Sequence, residues 1–158
     1  MLTRLSVYTL AVSALVAARP AHAQGESKYI NPPGLSKPNG YTHVVLGADG
    51  RTVYIAGQIA VDSAGAMVGA GDFRVQAERV YGNLRIALAS VGATFSDVVK
   101  TTTFITDPAN AATLREVRAK YIDPARPPAN SLIPVPTLAR SGLLLEIEAV
   151  AVLRTPRR

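Results

Sequence analysis

The chain has no cysteine and only two histidines among its 158 residues. Without cysteine there is no disulfide, no thiolate nucleophile and no thiolate metal site. His22 falls inside an N-terminal segment expected to be removed, so the mature chain keeps His43 alone. One histidine cannot build a two-His zinc site or a two-His ribonuclease pair. A Ser-His-Asp triad would have to use His43, and no nucleophile-elbow glycine pattern accompanies it. Acidic residues are few as well: 11 against 17 Lys and Arg, a formal charge of +6. The basic residues are dispersed rather than gathered in a stripe, so nucleic acid is not the expected partner. No cofactor and no metal are expected.

Long apolar runs are lacking too, with one exception. Leu5–Ala18, "LSVYTLAVSALVAA", follows the basic start "MLTR" and precedes "AHA" at Ala23. The run is short for a bilayer span, and A-x-A is the form of a secretory cleavage site. Residues 1–23 are read as a cleaved bacterial signal peptide, which places the mature protein in the periplasm or outside the cell, with no membrane contact after cleavage. Removing 23 of 158 residues leaves 135, enough for one domain with one core. Arg4 and Arg19 leave with the signal, which lowers the charge to about +4.

Residues 24–40 are rich in Pro, Gly and Ser and read as an extended lead-in with little regular structure. "YTHVVLG" and "TVYIAGQIAV" are β-rich runs joined across Asp49-Gly50, a hairpin signal. Asp72 is placed to cap a helix over 73–91 ended by Gly92, with Ala77, Val80, Leu84, Ala87, Leu88 and Val91 at helical spacing. "VVKTTTFIT" is the next strand. Asp107-Pro108 opens a second helix to about Tyr121, with Glu116 and Lys120 as a supporting i,i+4 pair. "NSLIPV" and "LLLEIEAVAVL" close the domain as strands, and 154–158 form a basic tail. The order ββ-α-β-α-ββ predicts an α+β fold, two helices on one face of a mixed β-sheet. Val53 and Ile55 exceed what one helix layer is expected to cover, which suggests self-association.

Three stretches carry a resemblance: "YIAGQIAVDSAG", "QAERVYGNLRIALASVGATFSDVVKTTTFITD" and "PPANSLIPVPTL" with "LLLEIEAVAV". Together they resemble the RidA/YjgF family of reactive-intermediate deaminases over residues 41–153. The resemblance implies a chorismate-mutase-like subunit, a homotrimer, and clefts between subunits that take a small imine, enamine or other small polar metabolite. It implies hydrolysis of 2-imino acids to 2-oxo acids and ammonia. It places a catalytic carboxyl at Glu146, the first acid of "EIE", and substrate contacts at Tyr41, Ala56 and Gly57.

The family holds the substrate carboxylate with an arginine in a Pro-Ala/Thr-Arg motif. "PARPPANS" offers two matches here. Asn130 lies sixteen positions before Glu146, one more than is usual for the family; Arg126 lies twenty before it, ahead of two prolines that a strand would not tolerate. Asn130 therefore stands in the arginine's place, and Arg126 belongs to a loop. A neutral amide forfeits about 1.5–3 kcal/mol of carboxylate binding relative to a charged hydrogen bond. Weak or altered activity follows, and a binding module without turnover is the alternative. An endoribonuclease is less favoured, with one histidine and no basic stripe. Helix two carries Arg115 where the family has asparagine, so the two residue types have exchanged places. Arg115 either restores the missing cation to the cleft or is an ordinary solvated helix residue.

Overall fold

A computed structural model of the chain describes residues 28–38, 43–46 and 52–153. The proposed signal segment, Tyr41, the Asp49-Gly50 turn and the basic tail lie outside those residues. Among the described residues six strands form one sheet: β1 (Lys28–Ile30), β2 (Val44–Leu46), β3 (Thr52–Gln58), β4 (Val98–Ile105), β5 (Ala129–Pro134) and β6 (Leu145–Val152), in the order β1-β2-β3-β6-β4-β5. All neighbours are antiparallel except β4 and β5. A parallel pair needs a crossover, and the second helix supplies it. The strand last in sequence is thus inserted between β3 and β4, near the middle of the sheet.

The lead-in is more structured than its composition suggests. Lys28–Ile30 pairs with Val44–Leu46 and covers what would otherwise be an open strand edge. A three-residue strand beside prolines has no alternation to read. The expected hairpin partners do pair, Val44 with Ile55 and Leu46 with Val53.

Helix α1 (Phe73–Ala89) begins as expected, with Asp72 Oδ1 accepting from the Val75 amide at 3.1 Å. Ala77, Val80, Leu84, Ala87 and Leu88 are buried against the sheet. The chain then reverses through Gly92 at φ 72°, a conformation that favours glycine. The second helix is shorter than its periodicity promised: a 3₁₀ turn over Pro108–Asn110 precedes α2 (Ala111–Arg118). Glu116 in this helix and Lys120 just past its end make their ion pairs with α1, Glu116 with Arg74 and Lys120 with Glu78; the Glu116 carboxyl is held below its ordinary range by Arg74 first and also by Lys120. Arg74 and Glu78 are themselves four residues apart and present the complementary signs to α2. Tyr121 stacks on Tyr81 with ring centroids 5.0 Å apart and donates its hydroxyl to Glu78.

Alternation sorts the sheet into two faces. Val53, Ile55, Ile105, Leu145, Ile147, Ala149 and Ala151 are buried on the helix side. Val53 and Ile55 are therefore satisfied within one chain and supply no argument for self-association. The opposite face does carry uncovered apolar groups: Tyr54 is 55% exposed and Ile133 38%.

Candidate active site

Glu146 and Glu148 project from β6 on the face away from the helices, since Leu145, Ile147 and Ala149 occupy the alternate positions. The neighbouring strand is irregular here. Ile55 opposes Ala149 and Gln58 opposes Ile147, so Ala56 and Gly57 together face Glu148 alone. Two residues against one is a β-bulge, which interrupts the ladder and re-aims the backbone beside it. Gly57 leaves room for the Glu146 side chain: a Cβ added there would lie 1.8 Å from Glu146 Oε1 and 2.8 Å from its Cγ.

Glu146 is half-buried and has no hydrogen-bond or ion-pair partner among the described residues. Burial pushes its carboxyl above the usual carboxylate range, and the nearby Glu148 charge pushes the same way. A carboxyl whose neutral form is favoured in this manner returns a proton more readily than a free carboxylate would take one, and can do both in turn.

Glu146 and Gly57 open onto a cavity of about 620 Å³. Its apolar wall comes from Leu35, Ile59, Val61 and Leu143; its polar groups include Gln58, Asn83 and Arg140. Asn83 projects from α1 and donates from Nδ2 to the carbonyls of Ile59 and Val61, which fixes the segment leaving β3. His43 also reaches this cavity, but its ring is engaged. Its Nε2 donates to the Ser36 carbonyl at 2.9 Å, which leaves Nδ1 to accept from Gln58 Nε2 at 3.2 Å. Gln58 also donates to the Ala56 carbonyl, tying the histidine to the bulge. His43 is 4% exposed and acts as a structural link between β2 and β3.

The chain brings Ala56, Gly57 and Glu146 together; Asn130 and Arg115 lie elsewhere in the subunit. β5 begins at Ala129, so Asn130 is its second residue, and Arg126 sits in the preceding turn with its amide on the Asp123 carbonyl. Asn130 is in register with Thr101 and shares its helix-facing side. Its Oδ1 accepts from Thr101 Oγ1 at 2.9 Å and Thr103 Oγ1 at 3.4 Å. Glu146 projects from the other face. Arg115 is exposed on α2. At 100° per residue it lies on the flank turned away from Glu116 and Lys120, and so away from α1. Tyr41 lies outside the described residues. Arg140, an exposed residue in the turn before β6, lines the same cavity; nothing in its local sequence marks it as doing so.

No group of three or more His, Asp or Glu that could hold a metal occurs among the described residues. No helix among them is long and apolar enough to cross a membrane.

A protein-family profile described as Endoribonuclease L-PSP matches residues 34–153. The protein DfrA of Myxococcus xanthus is 36% identical over 137 residues, covering 87% of this chain and 97% of its own. The human 2-iminobutanoate/2-iminopropanoate deaminase is 34% identical over 120 residues, covering 76% and 83%. Among solved structures, RidA from an Antarctic Psychrobacter superposes with a TM-score of 0.70 at 28% identity, over 79% of this chain and 98% of that one. Escherichia coli TdcF with bound serine gives a TM-score of 0.70 at 29% identity, over 80% and 98%.

Proposed function

The chain belongs to the RidA/YjgF family, the group described as Endoribonuclease L-PSP, and from that premise we propose that it is an exported, trimeric imine or enamine hydrolase with Glu146 as its acid–base group. One observation carries the reading: a half-buried carboxyl, without a partner among the described residues, is pressed against a bulge glycine at the mouth of a cavity. The human relative is named for 2-iminobutanoate and 2-iminopropanoate, and the TdcF structure holds serine, so small amino-acid-like molecules are the ligand class those relatives suggest.

The chemistry needs little. Glu146 as carboxylate takes a proton from water while the water oxygen adds to the imine carbon. A proton from solvent reaches the imine nitrogen, giving a neutral carbinolamine. Glu146 then returns its proton to the amine, the C–N bond breaks to release ammonia, and the hydroxyl proton passes back to solvent as the carbonyl forms. The balance is imine plus water to carbonyl plus ammonia. A raised carboxyl pKa brings the two protonation states closer in population, which suits a group that must do both.

Trimerisation is supported by the uncovered apolar face around Tyr54, and intersubunit clefts are where Asn130 and Arg115 could meet a neighbour's Glu146. Export rests on Met1–Ala23; N-terminal sequencing of protein from its native host should start at Gln24. The test of the activity is ammonia release from imines generated in situ, compared with Glu146→Gln. No rate above spontaneous hydrolysis would end the enzyme reading.

A second reading, a ligand-binding module, is favoured by Asn130 itself. It is neutral, and its oxygen is occupied by two threonine hydroxyls. An RNA-cleaving role would require a base, and His43 is buried with both ring nitrogens engaged.

A further inference from the structure

Arg140 is the one cationic side chain that lines the cavity with Glu146, among the described residues. Its surroundings are built to hold it. The turn between β5 and β6 is clamped by Gln76, a fully buried side chain of α1. Gln76 Nε2 donates to the Gly142 carbonyl at 2.8 Å, and its Oε1 accepts from the Leu144 amide at 2.9 Å. Gly142, at φ 83°, lets the turn close. The guanidinium is tethered in addition: Arg140 Nη1 donates to the Gly65 carbonyl at 2.8 Å. Gly65 belongs to a loop fixed by Asp62, whose Oδ1 accepts from the Ala64 and Ala66 amides.

A guanidinium carries five N–H donors, and the Gly65 carbonyl uses one. No carboxylate pairs with Arg140 among the described residues; the ion pairs there are Arg74 with Glu116 and Lys120 with Glu78. The result is an exposed but tethered cation, without a carboxylate partner among the described residues, on the wall of a cavity whose other charged side chain is Glu146. A planar fork of this kind suits a carboxylate.

We propose that Arg140, rather than Asn130 or Arg115, grips the carboxylate of this protein's substrate. The assignment rests on the imine-hydrolase reading of the Glu146 site. It also gives the ligand an orientation. With its carboxylate at Arg140 and its imine carbon at Glu146, the substrate's remaining chain lies along Leu35, Ile59, Val61 and Leu143. The cavity, about 620 Å³ and partly open to solvent in the single chain, has apolar wall to spare beside a three-carbon acid. The preferred substrate is therefore an imine carrying both a carboxylate and a longer or branched aliphatic group.

The test uses the full mature protein and two imines made in situ: one from leucine by an amino-acid oxidase, one from butylamine by an amine oxidase. Ammonia release is followed for the unmodified protein, Arg140→Ala and Arg140→Lys. Arg140→Ala should lose at least tenfold more kcat/KM on the leucine-derived imine than on the butylamine-derived one, chiefly through KM, and Arg140→Lys should recover part of the loss. Equal losses on both imines, or none, would overturn the assignment while leaving the enzyme reading intact. If the unmodified protein hydrolyses neither imine, the enzyme reading fails and calorimetry with 4-methyl-2-oxopentanoate decides on Arg140. Binding weakened tenfold or more by Arg140→Ala keeps the residue as an anion grip in a binding module; undiminished binding, or no binding to the unmodified protein, overturns it.

Discussion

Gly57 and Glu146 occupy each other's space: a methyl group on the glycine would stand 1.8 Å from the carboxyl oxygen. The glycine is not held in a left-handed conformation, so its role is steric. The bulge at Ala56–Gly57 brings the backbone of β3 up to the carboxyl, and the missing side chain leaves the carboxyl its place.

Gly57→Ala should therefore displace Glu146 without unfolding the protein. The clash is with a side chain that can swing, and the substitution should cost about 1 kcal/mol or less of stability. Hydrolysis of the preferred imine should fall tenfold or more. A crystal structure would show the carboxyl turned away. Full activity with Glu146 in its original place would contradict the steric role.

Glu146 also makes a pH-dependent contribution to stability. Its folded pKa is raised, so the native state binds the proton more tightly than the unfolded chain does. This contribution favours folding in acid and is lost as pH rises from the ordinary carboxylate value through the raised one. Glu146→Gln should stabilise the protein near neutral pH, by no more than about 1 kcal/mol because the group is half open to water, and should give no gain well below that window. Thermal unfolding of both proteins across this range checks the sign.

The uncovered face predicts where subunits meet. Tyr54 is in register with Val45 on one side and Val150 on the other, forming an apolar row across three strands. Light scattering at micromolar concentration should report about three times the subunit mass. Tyr54→Glu should shift the protein toward monomer, and imine hydrolysis should fall with it if the clefts lie between subunits.

Asn130 offers a fourth test. Asn130→Arg should raise hydrolysis of 2-iminopropanoate if the arginine reaches the cleft. It also removes the acceptor for the buried Thr101 and Thr103 hydroxyls, which should cost about 1–3 kcal/mol of stability. Arg115→Ala should change stability and binding by no more than about 0.5 kcal/mol, as expected of an exposed helix residue outside the Glu146 cavity. A loss of about 1.5–3 kcal/mol for anionic ligands, with little for neutral ones, would contradict this and return the grip to Arg115.

The sequence by itself determined the elements and their sides. Alternation in "LEIEAVAV" sends Leu145 and Ile147 to the helices and Glu146 to the other face, and Asp72 and Gly92 bound α1 because caps and left-handed turns are local chemistry. Asn130 rather than Arg126 enters β5 because proline cannot continue a strand interior. Other features depended on which segments meet, and no local pattern records that. Lys28–Ile30 became a strand because β2 had an edge to offer. Glu116 and Lys120 make their ion pairs across to α1 because it places Arg74 and Glu78 within their reach. The bulge at Ala56–Gly57 exists only relative to β6. Arg140 faces the Glu146 cavity because Gln76, far away in the chain, clamps its turn against α1. Propensity and periodicity act over a few residues, whereas the site is assembled by contacts between segments far apart in sequence, so the meeting of Glu146, Gly57 and Arg140 at one cavity was decided by tertiary structure.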